Sequence, residues 1–101
     1  MKKNKILITG ASGFLGDSIT NLLSNNQKYK IIPIGRKIKH WNSDYIKKNL
    51  KFFDLNKNKI SKFGKLDTII HCAGLHGDDK NNWEKYYKNN ILITKNIIDS
   101  N

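Results

Sequence analysis

Apolar and polar positions fall in blocks whose period switches between that of a strand and that of a helix. Ile6-Leu7-Ile8 is the centre of a run from Lys5 to Thr9 that predicts a first strand. Phe14, Leu15, Ile19, Leu22 and Leu23 then recur at helical spacing up to the polar stop Ser24-Asn25-Asn26, which predicts an amphipathic helix. Tyr29 to Ile34 is apolar and β-branched enough for a buried parallel strand, with Pro33 tolerated only near its end, and Gly35-Arg36 closes it. The polar stretch from Lys37 to Asn49 predicts a loop and then a short helix, in which the Ser43 hydroxyl caps the segment Asp44 to Lys48. Leu50 to Phe53 reads as a third strand, and Leu55, Ile60 and Phe63 as a short connecting helix before Gly64. Leu66 to Cys72 reads as a fourth strand, its run Thr68-Ile69-Ile70 having the pattern of a strand covered on both faces. Trp83, Tyr86, Tyr87, Ile91, Leu92, Ile97 and Ile98 predict a long closing helix from Asn82 to Ser100.

Strands alternating with helices imply an α/β fold of the Rossmann type, and right-handed crossovers give a parallel sheet in the order 3-2-1-4. The chain of 101 residues is expected to be one domain, residues 1–101, or part of one. Its most telling corner is Thr9-Gly10-Ala11-Ser12-Gly13-Phe14-Leu15-Gly16, directly where the first strand hands over to the first helix. Gly10 lets the chain turn sharply, Gly13 lets backbone approach a ligand, and Gly16 lets the helix lie close to the sheet. Unpaired amides and the positive end of the helix dipole then favour an anion without any basic side chain, as a dinucleotide pyrophosphate requires.

Charge changes this picture little. The formal net charge of +11 would ordinarily point to nucleic acid, yet Arg36 is the sole arginine and the lysines are scattered from Lys2 to Lys95. Scattered lysine beside abundant asparagine and isoleucine reads as compositional bias rather than a binding face, so a nucleic-acid partner is not expected. Cys72 is the single cysteine, which excludes a disulfide within the chain and fits a reducing cytoplasm. Met1-Lys2-Lys3-Asn4-Lys5 has the charge of an export signal, but the apolar run behind it is broken at Thr9 and Gly10. No stretch approaches the roughly 20 apolar residues of a membrane span, so a cytoplasmic protein without membrane attachment is expected.

Four segments resemble the extended short-chain dehydrogenase/reductase family, in particular its nucleotide-sugar epimerase and dehydratase branch. They are Thr9 to Gly16, Phe53-Asp54-Leu55, Asp67-Thr68-Ile69-Ile70-His71-Cys72-Ala73-Gly74-Leu75-His76, and the run from Trp83 to Ile98. The resemblance implies that backbone at Ser12, Phe14 and Leu15 surrounds a pyrophosphate and that Asp54, beside Leu55, accepts the adenine amino group. The alternative for Asp54 is a cap on the following helix. Cys72, Ala73 and Gly74 are implied to be small where the ribose and nicotinamide lie against the strand end, His71 to be a buried, hydrogen-bonded strand residue, and Asn89 to reach the cofactor. Ile93 stands where the family has glycine. No metal site is expected, and a catalytic or ligand role for His71 and His76 lacks suitable partners.

An acidic residue at the end of the second strand would select NAD. This chain has Gly35-Arg36-Lys37, whose guanidinium can grip a 2′-phosphate in bidentate fashion, so NADP is favoured over NAD. The alternative is a solvated Arg36. The family's chemistry uses a tyrosine four residues before a lysine. Here Tyr29, Tyr45, Tyr86 and Tyr87 are followed at that spacing by Pro33, Asn49, Asn90 and Ile91, so no catalytic residue is assigned. The expectation is the amino-terminal cofactor half of a longer enzyme on a nucleotide-sugar-like substrate, with self-association through an open sheet edge. The competing readings are a non-catalytic module that senses NADP and a basic nucleic-acid-binding protein.

Overall fold

Period-two alternation along the strands explains the two-sided core of the computed structural model, which describes residues 2–73 and 91–100. Strand β1 (Asn4–Thr9) sends Ile6 and Ile8 to one face and Leu7 to the other. In β2 (Tyr29–Gly35) Ile32 and Ile34 join Leu7, whereas Tyr29 and Ile31 join Ile6. Strand β3 is only Lys51–Phe52, and β4 spans Thr68–His71 with Ile69 and Ile70 on opposite faces. The sheet is parallel in the order β3-β2-β1-β4, with Ile6 opposite Ile31 and Ile8 opposite Ile70, as the alternation of elements predicts.

Helices α1 (Phe14–Ser24) and α2 (Asp44–Asn49) cover the face of Ile6 and Ile8 through Ile19, Leu23 and the fully buried Ile46. The Ser43 hydroxyl accepts the Ile46 amide at 3.3 Å and so caps α2 as expected. A 3₁₀ turn at Ile60–Phe63 and helix α3 (Ile93–Ser100) cover the opposite face through Ile60, Ile93 and Ile97. Residues 82–90 of the predicted closing helix lie outside the described residues.

The structure corrects three expectations. The connecting helix of residues 55–63 is instead a turn, in which Lys57 and Asn58 donate to the Asp54 carbonyl, followed by the 3₁₀ turn. The spacing of Leu55, Ile60 and Phe63 serves two separate insertions into the core, not one helix face. In β4, Thr68 is exposed and Ile69 and Ile70 are only half-buried, and among the described residues this strand is last in the sheet order. The third departure concerns α1, where Phe14, Leu15 and Leu22 are 83%, 62% and 72% exposed. The helix turns inward its small and polar side, Gly16, Asp17 and Thr20, with Ile19 and Leu23 at the margin. A Cβ on Gly16 would lie 2.1 Å from the Gly10 carbonyl oxygen, so close backbone contact sets the helix's rotation and overrides its apolar periodicity.

Pro33 lies near the end of β2, as its sequence predicts. Ile34 gives its carbonyl to Ala11 beside β1 and Gly35 gives its own to Phe53 beside β3, so Pro33, two residues before Gly35, faces β3. Pairing with β3 starts only at Ile34 opposite Lys51, so the missing proline N–H falls where no ladder bond is required. Thr20 is fully buried with no hydrogen-bond partner for its hydroxyl. Thr20→Val, of nearly the same shape, is therefore expected to raise stability by about 1 kcal/mol in urea unfolding, since an unpaired hydroxyl is replaced by a methyl group. A loss of similar size would show that the hydroxyl is satisfied in solution. Among the described residues no helix is long and apolar enough to cross a membrane.

Candidate dinucleotide-binding cleft

The C-terminal ends of the four strands open on one cleft of about 580 Å³, within the range of about 300–1,000 Å³ typical of ligand pockets. Gly10, Ser12, Gly13 and Phe14 line its wall, Arg36 stands at the end of β2, Asp54 and Leu55 follow β3, and Cys72 and Ala73 follow β4. These residues, proposed from sequence, are thus brought together. Leu15 and Gly16 are outside the lining; Leu15 faces out and Gly16 packs on the turn. Gly74 and Asn89 are outside the described residues.

Each glycine of the turn has a different physical reason. Gly10 has φ +61°, and a Cβ there would come within 2.6 Å of the Ala73 amide nitrogen, so both conformation and crowding exclude other residues. Gly16 is excluded from change by the Gly10 carbonyl noted above. Gly13 has an ordinary extended conformation, φ −75° and ψ 170°, and an added Cβ would meet one atom within 4 Å, the Gly10 oxygen at 3.2 Å. Packing thus asks little of Gly13; its place on the cleft wall leaves room for something to come close.

Gly13 is also the N-cap of α1 and places no side-chain oxygen on the first-turn amides. Its own amide donates to the Gly10 carbonyl at 3.0 Å, and the Asp17 amide closes the first turn on the Gly13 carbonyl at 2.9 Å. The amides of Phe14, Leu15 and Gly16 are those a helix start leaves without an intrahelical acceptor, and with the helix dipole they suit an anion.

The far side of the cleft is held by a chain of polar contacts. The Ala73 amide donates to the Thr9 hydroxyl at 3.1 Å, Thr9 lies 2.6 Å from His71 Nδ1, and His71 Nε2 lies 2.9 Å from the Thr94 hydroxyl. With the Thr9 hydroxyl donating to Nδ1, the neutral imidazole carries its proton on Nε2 and donates it to Thr94. Burial holds the His71 pKa below its ordinary 6.5. A depressed folded-state pKa means that the unfolded chain binds the proton more readily, so this contribution to stability is complete above about pH 6.5 and is lost as pH falls through the lower, folded value. Urea unfolding followed from pH 8 to 5 is expected to show stability falling below pH 6.5, and His71→Gln to flatten that slope. An unchanged slope in the variant would place the effect elsewhere.

Burial likewise pushes the Cys72 thiol up, away from a reactive thiolate. Asp54 Oδ1 accepts the Asn56 amide at 2.9 Å, so this carboxylate closes the turn after β3 while also lining the cleft. Among the described residues no group of His, Cys, Asp and Glu could hold a metal ion.

Lys39 and Trp41 also line the cleft, in the stretch read from sequence only as polar loop. Trp41 packs on Phe14 with ring centroids 6.2 Å apart, and Lys39 Nζ lies 5.5 Å from the Trp41 ring centroid. No local periodicity marks either residue as part of the cleft. Gly35 lines the cleft too, where a Cβ would come 3.0 Å from Ser12 Oγ.

The fold recurs in known proteins. The chain is 31% identical to a UDP-glucose 4-epimerase of Pisum sativum over 94% of its own length, and spans 32% of that relative. It superposes with TM-score 0.79 and 25% identity on a Bacillus cereus UDP-glucuronic acid 4-epimerase crystallised with NAD, covering 95% of this chain and 35% of that one. It matches an L-threonine dehydrogenase of Clostridium difficile with TM-score 0.79 and 29% identity, over 98% of this chain and 33% of that one. The chain therefore spans about a third of the length of these relatives. The sequence profile of the NAD dependent epimerase/dehydratase family matches residues 6–100, and the chain belongs to that family.

Proposed function

We propose that residues 1–101 are the dinucleotide-binding portion of an epimerase, dehydratase or reductase acting on a nucleotide-sugar-like substrate, and that the dinucleotide it prefers is NADP. Gly13 carries the binding claim, because the fold tolerates a side chain there far better than a ligand on the cleft wall would. The diphosphate lies on the amides of Phe14, Leu15 and Gly16, the adenosine end lies between Arg36 and Asp54, and the nicotinamide end lies toward Cys72 and Ala73. When bound, the nicotinamide supplies hydride chemistry; the residues named here bind and orient it. The outer edge of β4, last in the sheet order, is the place where further sheet or a second copy adds.

The NADP preference rests on Arg36, exposed at the cleft directly after β2, with Lys37 beside it and no acidic residue at that strand end. A guanidinium–phosphate contact is worth about 1.5–3 kcal/mol. Arg36→Ala is therefore expected to weaken NADPH binding by roughly 10–100-fold while changing NADH binding less than about threefold, read by fluorescence titration of both nucleotides. Equal losses for the two would remove Arg36 from 2′-phosphate recognition.

A further inference from the structure

The basic run Arg36, Lys37 and Lys39 lies on a loop without regular structure, and one buried side chain ties that loop to the phosphate turn. Asn42 is 5% exposed. Its Oδ1 accepts the Lys39 amide at 2.6 Å, while its own amide donates to the Lys39 carbonyl at 3.0 Å, so the turn bearing Lys39 is closed twice. Its Nδ2 donates to the Ser12 carbonyl at 2.9 Å and to Asp17 Oδ2 at 2.7 Å, and the same Asp17 oxygen accepts the Ser43 amide at 2.8 Å. Ser12 and Asp17, both buried, belong to the diphosphate turn and the first turn of α1. Only a carboxamide offers one acceptor and two donors in this arrangement; aspartate cannot donate, and leucine can do neither.

We propose that Asn42 is a positioning residue that sets selectivity for a phosphate on the adenosine ribose, by fixing the basic loop at a set distance from the diphosphate seat. This rests on the NADP reading above. NADP carries its 2′-phosphate and its diphosphate on the same adenosine ribose, which limits their spacing, so two anion seats held in register bind better than one seat and a loose cationic loop. The tether joins the two seats and touches neither phosphate.

The test titrates the protein and its variants with NADPH and NADH. Asn42→Ala is expected to weaken NADPH binding roughly tenfold and NADH binding less than about threefold, which collapses the wild-type preference. A simple loss of stability would weaken both nucleotides alike. Asp17→Asn keeps an oxygen that can accept from Asn42 and Ser43, and is expected to retain the preference. Should Asn42→Ala melt below the assay temperature, Asn42→Ser replaces it, since its hydroxyl cannot span Asp17, Ser12 and Lys39 together, and the same collapse is expected. A wild-type preference that survives in the Asn42 variant, or equal losses for both nucleotides, overturns the proposal alone. A wild-type protein that binds NADPH no more tightly than NADH overturns the NADP reading and this proposal with it.

Discussion

Gly13→Asp is expected to abolish dinucleotide binding while moving the melting temperature by no more than a few degrees. The two effects separate because the fold makes little use of this glycine. Its φ of −75° suits any residue, and the nearest atom to an added Cβ is the Gly10 oxygen at 3.2 Å, a contact relieved by a shift of a few tenths of an ångström. A carboxylate here would stand at the N-terminus of α1, where an anion stabilises the helix by about 0.3–1 kcal/mol, and so offset part of that crowding. It would also occupy the diphosphate's place with the same sign of charge. We expect at least about a 100-fold loss for NADPH and NADH alike, about 2.7 kcal/mol, measured by titration calorimetry beside thermal melts. Unchanged affinity in a folded variant would remove the turn from the binding site.

Gly16→Ala is expected to do the reverse of a binding-site change and attack the fold itself. The added Cβ would lie 2.1 Å from the Gly10 carbonyl oxygen and 2.8 Å from the carbonyl carbon, both backbone atoms that cannot swing aside. Relief requires α1 to move away from the sheet, which opens the packing of Ile19 and Leu23 against Ile8 and Ile31. Overpacking of this kind costs about 3 kcal/mol, a large part of the stability of a small domain. Urea denaturation is the check, and a midpoint within error of the wild type would show that the helix start has slack the packing distances deny.

Local patterns were legible in the sequence and tertiary choices were not. The three-residue glycine spacing, the Ser43 cap and the apolar runs of β1 and β2 are properties of neighbours along the chain, and each is found where the residues place it. The inward face of α1 does not follow from its periodicity, because its apolar residues outnumber Gly16 and Thr20 while backbone contact with Gly10 decides the rotation. Trp41 and Lys39 stand in a stretch with no periodicity, so nothing local marks them as cleft residues. The knot of Asn42 with Ser12 and Asp17 joins positions 30 and 25 residues apart, a pairing that no spacing rule encodes. The short β3 follows from the same cause: Leu50 and Phe53 fit a strand, yet only Lys51 and Phe52 pair with β2.

The most direct test of the binding claim is amide chemical-shift mapping of the protein during titration with NADPH and with NADH. The account predicts saturable shifts at Ser12, Gly13, Phe14, Leu15 and Gly16 with both nucleotides, and shifts at Arg36 and Lys37 that are larger with NADPH. Saturable binding that leaves the amides of residues 12–16 unmoved would contradict it.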